Sequence, residues 1–356
     1  MVEWLAGNRI RGTSTERTAG TPEVPAVAGG WKELARTTLG SNGDSIDVSS
    51  LADKRYLMFL LDSRSNGTAI STTWKANGST GNEYSFRRNH DGTEGDANTQ
   101  PSAATSWTSI VTNAFGVGYA ANKSGKEKLF LEHEVYQNTA GAGTAPTRTE
   151  NAFKWTGTDV IDQLTMHNSS SGDIVSGSEL VVLGYDPADT HTTNFWEELA
   201  DVPLSSAGTV LSSGTFTAKK YLWVQAFIDS SGGNVNDAFR CGNGSVDNQG
   251  NYSYRFSSNG SADTVNSTTK SQNDIGDFSN IANGQFINMF IINNASNEKL
   301  IMCHINEGKS GSSSPTRLEI VGKWANTSDQ INIVEWRNPA STNYSTKSFI
   351  KVWGSN

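Results

Sequence analysis

The stretch "KRYLMFLLDS" (54–63) returns as "KKYLWVQAFIDS" (219–230), 165 residues later. In each copy a short apolar run follows two cations and ends at Asp-Ser. Each run is far shorter than the roughly 20 residues needed to span a bilayer as a helix. Aromatic and aliphatic residues bounded by turn formers predict a β-strand, and its recurrence predicts that the surrounding unit recurs too.

Working outward, "GWKELARTTL" (30–39) answers "FWEELADVPL" (195–204) at the same offset, pairing Trp31 with Trp196, Glu33 with Glu198 and Leu34 with Leu199. "GNEYSFRRNHDG" (81–92) answers "GNYSYRFSSNG" (250–260), with Tyr84 matched to Tyr252. "KLFLEH" (128–133) answers "KLIMCH" (299–304), "KWTGTD" at Lys154 answers "KWANTSD" at Lys323, and "SELVVLG" (178–184) answers "SFIKVWG" (348–354). Matches in one order, with offsets drifting only from 165 to 171, mark a tandem duplication whose length changes fall in loops. The units run over 30–187 and 195–356. The boundary "DPADTHTTN" (186–194) supplies a linker over 188–194, and residues 1–29, rich in Pro, Gly and Ala, read as an extended arm.

Within a unit the pattern is β throughout. "GQFINMFII" (284–292), "EKLIMCHI" (298–305) and "INIVEW" (331–336) are short, apolar and bounded by turn clusters, and no segment carries a 3.6-residue stripe. The 356 residues are 35% hydrophobic and only 18% charged, so the polar excess is Ser, Thr, Asn and Gly, which suits long uncharged loops. The fold expected is all-β: two homologous antiparallel sandwiches, jelly-roll-like, each with one sheet face packed and the other wet.

The totals also exclude functions. A net charge of −8 without a basic cluster argues against nucleic acid, and the absence of long apolar runs argues against membrane insertion. The N-terminal "MVEWLAGNRIRGTS" lacks the apolar core of a signal peptide, so synthesis and folding in a cytoplasm are expected. Cys241 and Cys303 lie in strand-like runs and read as buried free thiols rather than a bridge.

No Gly-x-Ser-x-Gly elbow or phosphate loop is present, and neither catalytic residues nor a cofactor is expected. His133 and His304 repeat at one strand end, but without His-Glu-x-x-His spacing they read as half-exposed strand residues, so no metal is expected. The acidic Gly-rich loops at 62–67, 89–96 and 229–237 lack EF-hand spacing and read as turns. Trp155 and Trp324 match between units and read as core. Trp74 and Trp107 have no evident counterpart and read as candidate surface platforms for a sugar ring. Arg87 and Arg255 alternate with the paired rings of Tyr84-x-Phe86 and Tyr252-x-Tyr254, so the rings face the core and the arginines face outward, available to a neighbouring subunit.

"ANGSTGNEYSFRR" and "GNYSYRFSSNG" resemble the N-G-D-T-G-x-N-Y-x-Y-R segment of structural proteins of tailed bacterial and archaeal viruses. Here Ser79-Thr80 stands for Asp-Thr in the first copy, and "DNQGNY" precedes the second. Two tandem jelly rolls are also similar in architecture to double-jelly-roll capsid proteins, which assemble as trimers. The resemblance implies a non-enzymatic virion component in the shell, its decoration or the tail, located in the virion and partnered by other virion subunits in a homo-oligomer, most simply a trimer. A carbohydrate-binding receptor-recognition protein that takes a host-surface glycan is the alternative.

Overall fold

The computed structural model describes residues 30–104, 112–137, 139–187, 189, 194–232, 235–266, 275–281, 284–309, 312–340 and 342–356. The expected arm (1–29), Trp107 and most of the linker lie outside the described residues. The described elements are all strands. In the first unit they are β1 (Lys32–Thr38), β2 (Ser45–Ser49), β3 (Tyr56–Arg64), β4 (Thr72–Ala76), β5 (Tyr84–His90), β6 (Thr93–Gln100), β7 (Ala103–Ala104), β8 (Asn113–Ala121), β9 (Lys128–Gln137), β10 (Thr147–Trp155), β11 (Gln163–Asn168) and β12 (Glu179–Tyr185). In the second they are β13 (Glu197–Pro203), β14 (Val210–Ser212), β15 (Tyr221–Ile228), β16 (Val235–Asn243), β17 (Ser245–Val246), β18 (Tyr252–Ser258), β19 (Thr264–Asn266), β20 (Ile275–Ile281), β21 (Gln285–Ile292), β22 (Lys299–Glu307), β23 (Thr316–Trp324), β24 (Ile333–Arg337) and β25 (Phe349–Ser355).

Eight strands of the first unit form one antiparallel sheet in the order β1-β12-β3-β8-β9-β10-β5-β6, and β2-β11-β4-β7 form a smaller sheet. The second unit repeats this as β13-β25-β15-β21-β22-β23-β18-β19 and β14-β24-β16-β17, with β20 also pairing β16. The duplication holds in register as well as in order. Tyr56 pairs with Ala121, which pairs with Leu129; Tyr221 pairs with Ile292, which pairs with Leu300.

Even an irregularity is copied. The first strand of each unit bulges between Glu33 and Ala35, and again between Glu198 and Ala200. The bulged Leu34 and Leu199 lie over Gly184 and Gly354, where an added Cβ would stand 2.7 Å from a leucine methyl in either unit. These contacts explain why the leucine and the glycine recur together: only glycine leaves room for the side chain that the bulge re-aims.

Each sandwich has its own core between its two sheets. Leu57, Phe59, Leu61, Trp74, Tyr84 and Trp155 belong to the first, and Leu222, Val224, Phe239, Tyr252, Trp324 and Trp336 to the second. A third core joins the units. Leu60, Phe115, Val117 and Leu183 on the outer face of the first large sheet pack against Tyr221, Phe290, Leu300 and Met302 on the outer face of the second. This corrects the expectation of a wet outer face. β3 is buried at seven consecutive residues, Leu57–Ser63, because one side chain in two enters the sandwich and the other enters the seam.

Candidate functional site

The Tyr-Ser-aromatic-Arg repeat is a tie between sheets. On β5 the Tyr84 hydroxyl crosses the first sandwich and accepts from the Ala76 amide on β4 (2.7 Å). On β18 Tyr252 does the same for Cys241 on β16, accepting from its amide (3.1 Å) and donating to its carbonyl (2.7 Å). The following rings, Phe86 and Tyr254, are buried beside them. The neighbouring indoles are tied in parallel: Trp155 Nε1 donates to Glu83 (2.9 Å) and Trp324 Nε1 to Asp247 (2.7 Å).

The two arginines face outward as alternation requires, but to different ends. Arg87 is exposed at the rim of a groove in the first unit. Arg255 lies in the seam, where its Nε donates to the Pro146 carbonyl (3.1 Å) and pairs with Asp91 (3.2 Å). Its neighbour is thus the other unit of its own chain.

Trp74 requires correction. It is 1% exposed in the first sandwich's core, its ring against Phe59, with Nε1 donating to Glu132 (2.8 Å). A buried indole needs a partner for its N–H, and Glu132 reaches it from the facing sheet. Its counterpart is Phe239, which packs on Trp336. Both cysteines are buried and unbridged.

The groove holds about 930 Å³ and lies on the outer face of the first large sheet, beyond the part that the second unit covers. Tyr119, Trp31, Tyr185 and Tyr56 form one wall, a chain of rings with successive centroids 5.8–6.3 Å apart. Leu129 and Leu131 form the floor, and Ser85, Arg87, Asp96, Asn98 and Lys154 supply polar groups. Sequence reasoning missed it, since its residues come from seven strands and the segment before β1.

The seam is apolar at its centre and ionic at its margins. At one margin Lys220 of the second unit pairs with Asp62 (3.2 Å) and Glu179 (2.9 Å) of the first, while the Tyr221 hydroxyl donates to Glu179 (2.8 Å). Burial alone would raise the Glu179 carboxyl, but hydrogen bonds from Thr38, Lys220 and Tyr221 lower it on balance. At the other margin Arg148, fully buried, pairs with Asp263 (2.7 Å) and Glu319 (2.9 Å) of the second unit.

Beside Arg148 the repeated histidines meet. His133 and His304 lie ring to ring, centroids 4.2 Å apart, and Glu150 stands between them, 3.4 Å from His133 Nδ1 and 3.2 Å from His304 Nε2. The three donor atoms lie within 4.8 Å of one another, a set able to hold a metal ion. Desolvation, reinforced by His133, lowers the His304 pKa. Burial would raise Glu150, but its contacts with both imidazoles hold it well below the usual carboxylate range.

No protein-family model matches the chain, and no characterised protein matches it in sequence. Among solved structures it is similar to domains LG4-5 of the mouse laminin alpha1 chain, with 11% identity and a TM-score of 0.19, over 93% of this chain and 91% of that one. It is also similar to the LG1-3 region of the laminin alpha2 chain, with 7% identity and a TM-score of 0.20, over 87% of this chain and 64% of that one. Scores of that size do not establish a shared fold.

Proposed function

We propose that this chain is a non-enzymatic structural protein of a virion, built into the particle by association with copies of itself and with other virion subunits. The observation that carries assembly is the groove: a large, aromatic-walled, apolar face exposed among the described residues, on a sheet whose neighbouring outer face is buried in the seam. Exposed apolar patches of this kind mark interaction sites. The virion setting is supported by the resemblance carried at Tyr84–Arg87 and Tyr252–Arg255. A heterologous contact that closes gives a ring, and a trimer is its simplest form.

Counting the protein by mass spectrometry in purified particles tests this reading. Many copies per particle, with loss of incorporation when residues 1–29 are deleted, are expected. Absence from particles sinks the virion assignment. A second reading, recognition of a host-surface glycan, is favoured by the rings of Trp31 and Tyr56 beside Arg87, Asp96 and Asn98, because sugars stack on aromatic faces and bond to such rims. A glycan array that binds the wild type but not Tyr56→Ala is its test.

A further inference from the structure

The groove of the first unit has a counterpart in the second unit, and that counterpart is already occupied. By strand register Tyr56 corresponds to Tyr221, Leu129 to Leu300 and Leu131 to Met302. Tyr56, Leu129 and Leu131 are 42%, 60% and 58% exposed; Tyr221, Leu300 and Met302 are 0%, 0% and 3% exposed. The difference is the cover. Tyr221 is roofed by the first unit, with the Phe115 ring 6.2 Å away and Glu179 accepting from its hydroxyl.

The covering surface has counterparts too. Phe115 corresponds to Phe286, since each lies six residues along its strand from the partner of the tyrosine, and Glu179 corresponds to Phe349. Phe286 and Phe349 are 49% and 39% exposed, and Phe349 lies beside Phe227, ring centroids 6.0 Å apart. Among the described residues the chain therefore displays both halves of a contact that it makes once internally: an exposed receiver on the first unit and an exposed cover on the second. Around Tyr221 the internal contact joins unlike surfaces, so each chain keeps one of each there.

We propose that copies associate head to tail, the Phe227-Phe286-Phe349 patch of one chain covering the Tyr56-Leu129-Leu131 groove of the next, in the manner of the internal seam. This rests on the assembly reading above and names its surfaces. Association of this heterologous kind closes into a ring or runs on as a filament.

The test uses the full chain. Tyr56→Cys and Phe286→Cys, two exposed positions, are made separately, and a short bismaleimide is added to each alone and to their mixture. The native thiols are buried, so the wild type is the control. A covalent dimer formed in the mixture, in large excess over either variant alone, is expected, together with dissociation of the oligomer by Phe286→Asp. A wild type that stays monomeric in light scattering at every attainable concentration overturns the assembly reading itself. An oligomer that neither cross-links in the mixture nor responds to Phe286→Asp overturns the head-to-tail contact alone.

A separate observation carries a second proposal. His133 and Glu150 are cross-strand partners on β9 and β10, as His304 and Glu319 are on β22 and β23, so the duplication has brought two copies of one His-Glu pair to the same point of the seam. A tetrahedral ion with bonds of about 2.0–2.1 Å sets its donors about 3.3 Å apart. Glu150 Oε2 stands 3.4 Å from His133 Nδ1 and its Oε1 3.2 Å from His304 Nε2, with Arg148 Nη1 3.3 Å from Oε1. One ligand atom from each residue lies within 4.8 Å of the other two, so a small closure of the three side chains completes the set. A cavity of about 260 Å³, lined by His133, Glu150, Arg317 and Glu319, opens beside them with room for water as a fourth ligand.

The geometry points to a zinc-type divalent ion held by His133 Nδ1, His304 Nε2 and Glu150, clamping one unit to the other. Isothermal titration of the full chain with Zn(II), paired with the visible absorption of Co(II), reads it directly. One saturable equivalent, a tetrahedral cobalt band and a raised melting temperature are expected, all lost in His304→Gln and in Glu150→Gln. Absence of saturable uptake by the wild type, or uptake unchanged in both folded variants, overturns it.

Discussion

The carboxyl of Asp237 lies in the second sandwich's core, where Oδ1 accepts from the Tyr344 hydroxyl (2.9 Å) and Oδ2 has no donor among the described residues. Burial pushes it up to about 8. The first sandwich holds a similar group, Glu134, buried with the Thr72 hydroxyl donating to it (3.2 Å) and pushed up by burial to about 7. Both groups bind a proton more tightly folded than unfolded. Their contribution is therefore full below about pH 4, the unfolded value, and is lost as pH rises through 7 to 8. Thermal melts should show the protein losing stability between pH 5 and pH 9. Asp237→Asn, which keeps an acceptor for Tyr344 and cannot ionise, should flatten part of that slope and raise the melting temperature at pH 9. An unchanged slope would mean that Asp237 does not carry the proton.

At the scale of single strands, the sequence was most legible where a residue's role is local. The alternation Tyr-x-aromatic-Arg assigns faces correctly on β5 and β18, since a strand puts alternate side chains on opposite sides. Runs such as "YLMFLL" also specify burial on two faces. A strand with one wet face alternates, whereas an unbroken apolar run is the pattern of a strand covered on both sides. Trp74 reads as a surface residue because no tryptophan answers it in the second unit, and β4, five residues long, is too short for alternation to assign a face instead. A signal existed: the offset of 165 that relates β3 to β15 also lands Trp74 on Phe239, one aromatic on another. The Glu150 contact had no comparable signal. Its pairing with His133 depends on the β9–β10 register, and its meeting with His304 depends on how two sheets cross. The groove is hidden for the same reason, its walls being set by what the second unit leaves bare.

For the whole molecule, the third core decides whether there are two folding units or one. Two sandwiches joined only by a linker would melt separately. Here Phe115, Leu60 and Leu183 of one unit and Tyr221, Phe290 and Met302 of the other share a core, so unfolding either unit exposes the apolar face of the other. Each buried side chain of this kind contributes about 1.5–3 kcal/mol, and the ionic margins add partners that neither unit has alone. Calorimetry should therefore show one transition. The two phenylalanines at the equivalent repeat position make the test sharp. Phe115 is buried in the seam and Phe286 is its exposed counterpart. Phe115→Ala should destabilise by about 3–5 kcal/mol, the usual range for an emptied aromatic core position, and should move the entire transition. Phe286→Ala should change the dissociated chain by no more than about 0.5 kcal/mol, while weakening whatever assembly forms. Two calorimetric peaks, with only the first unit's peak shifted by Phe115→Ala, would show the seam to be a contact between independent domains.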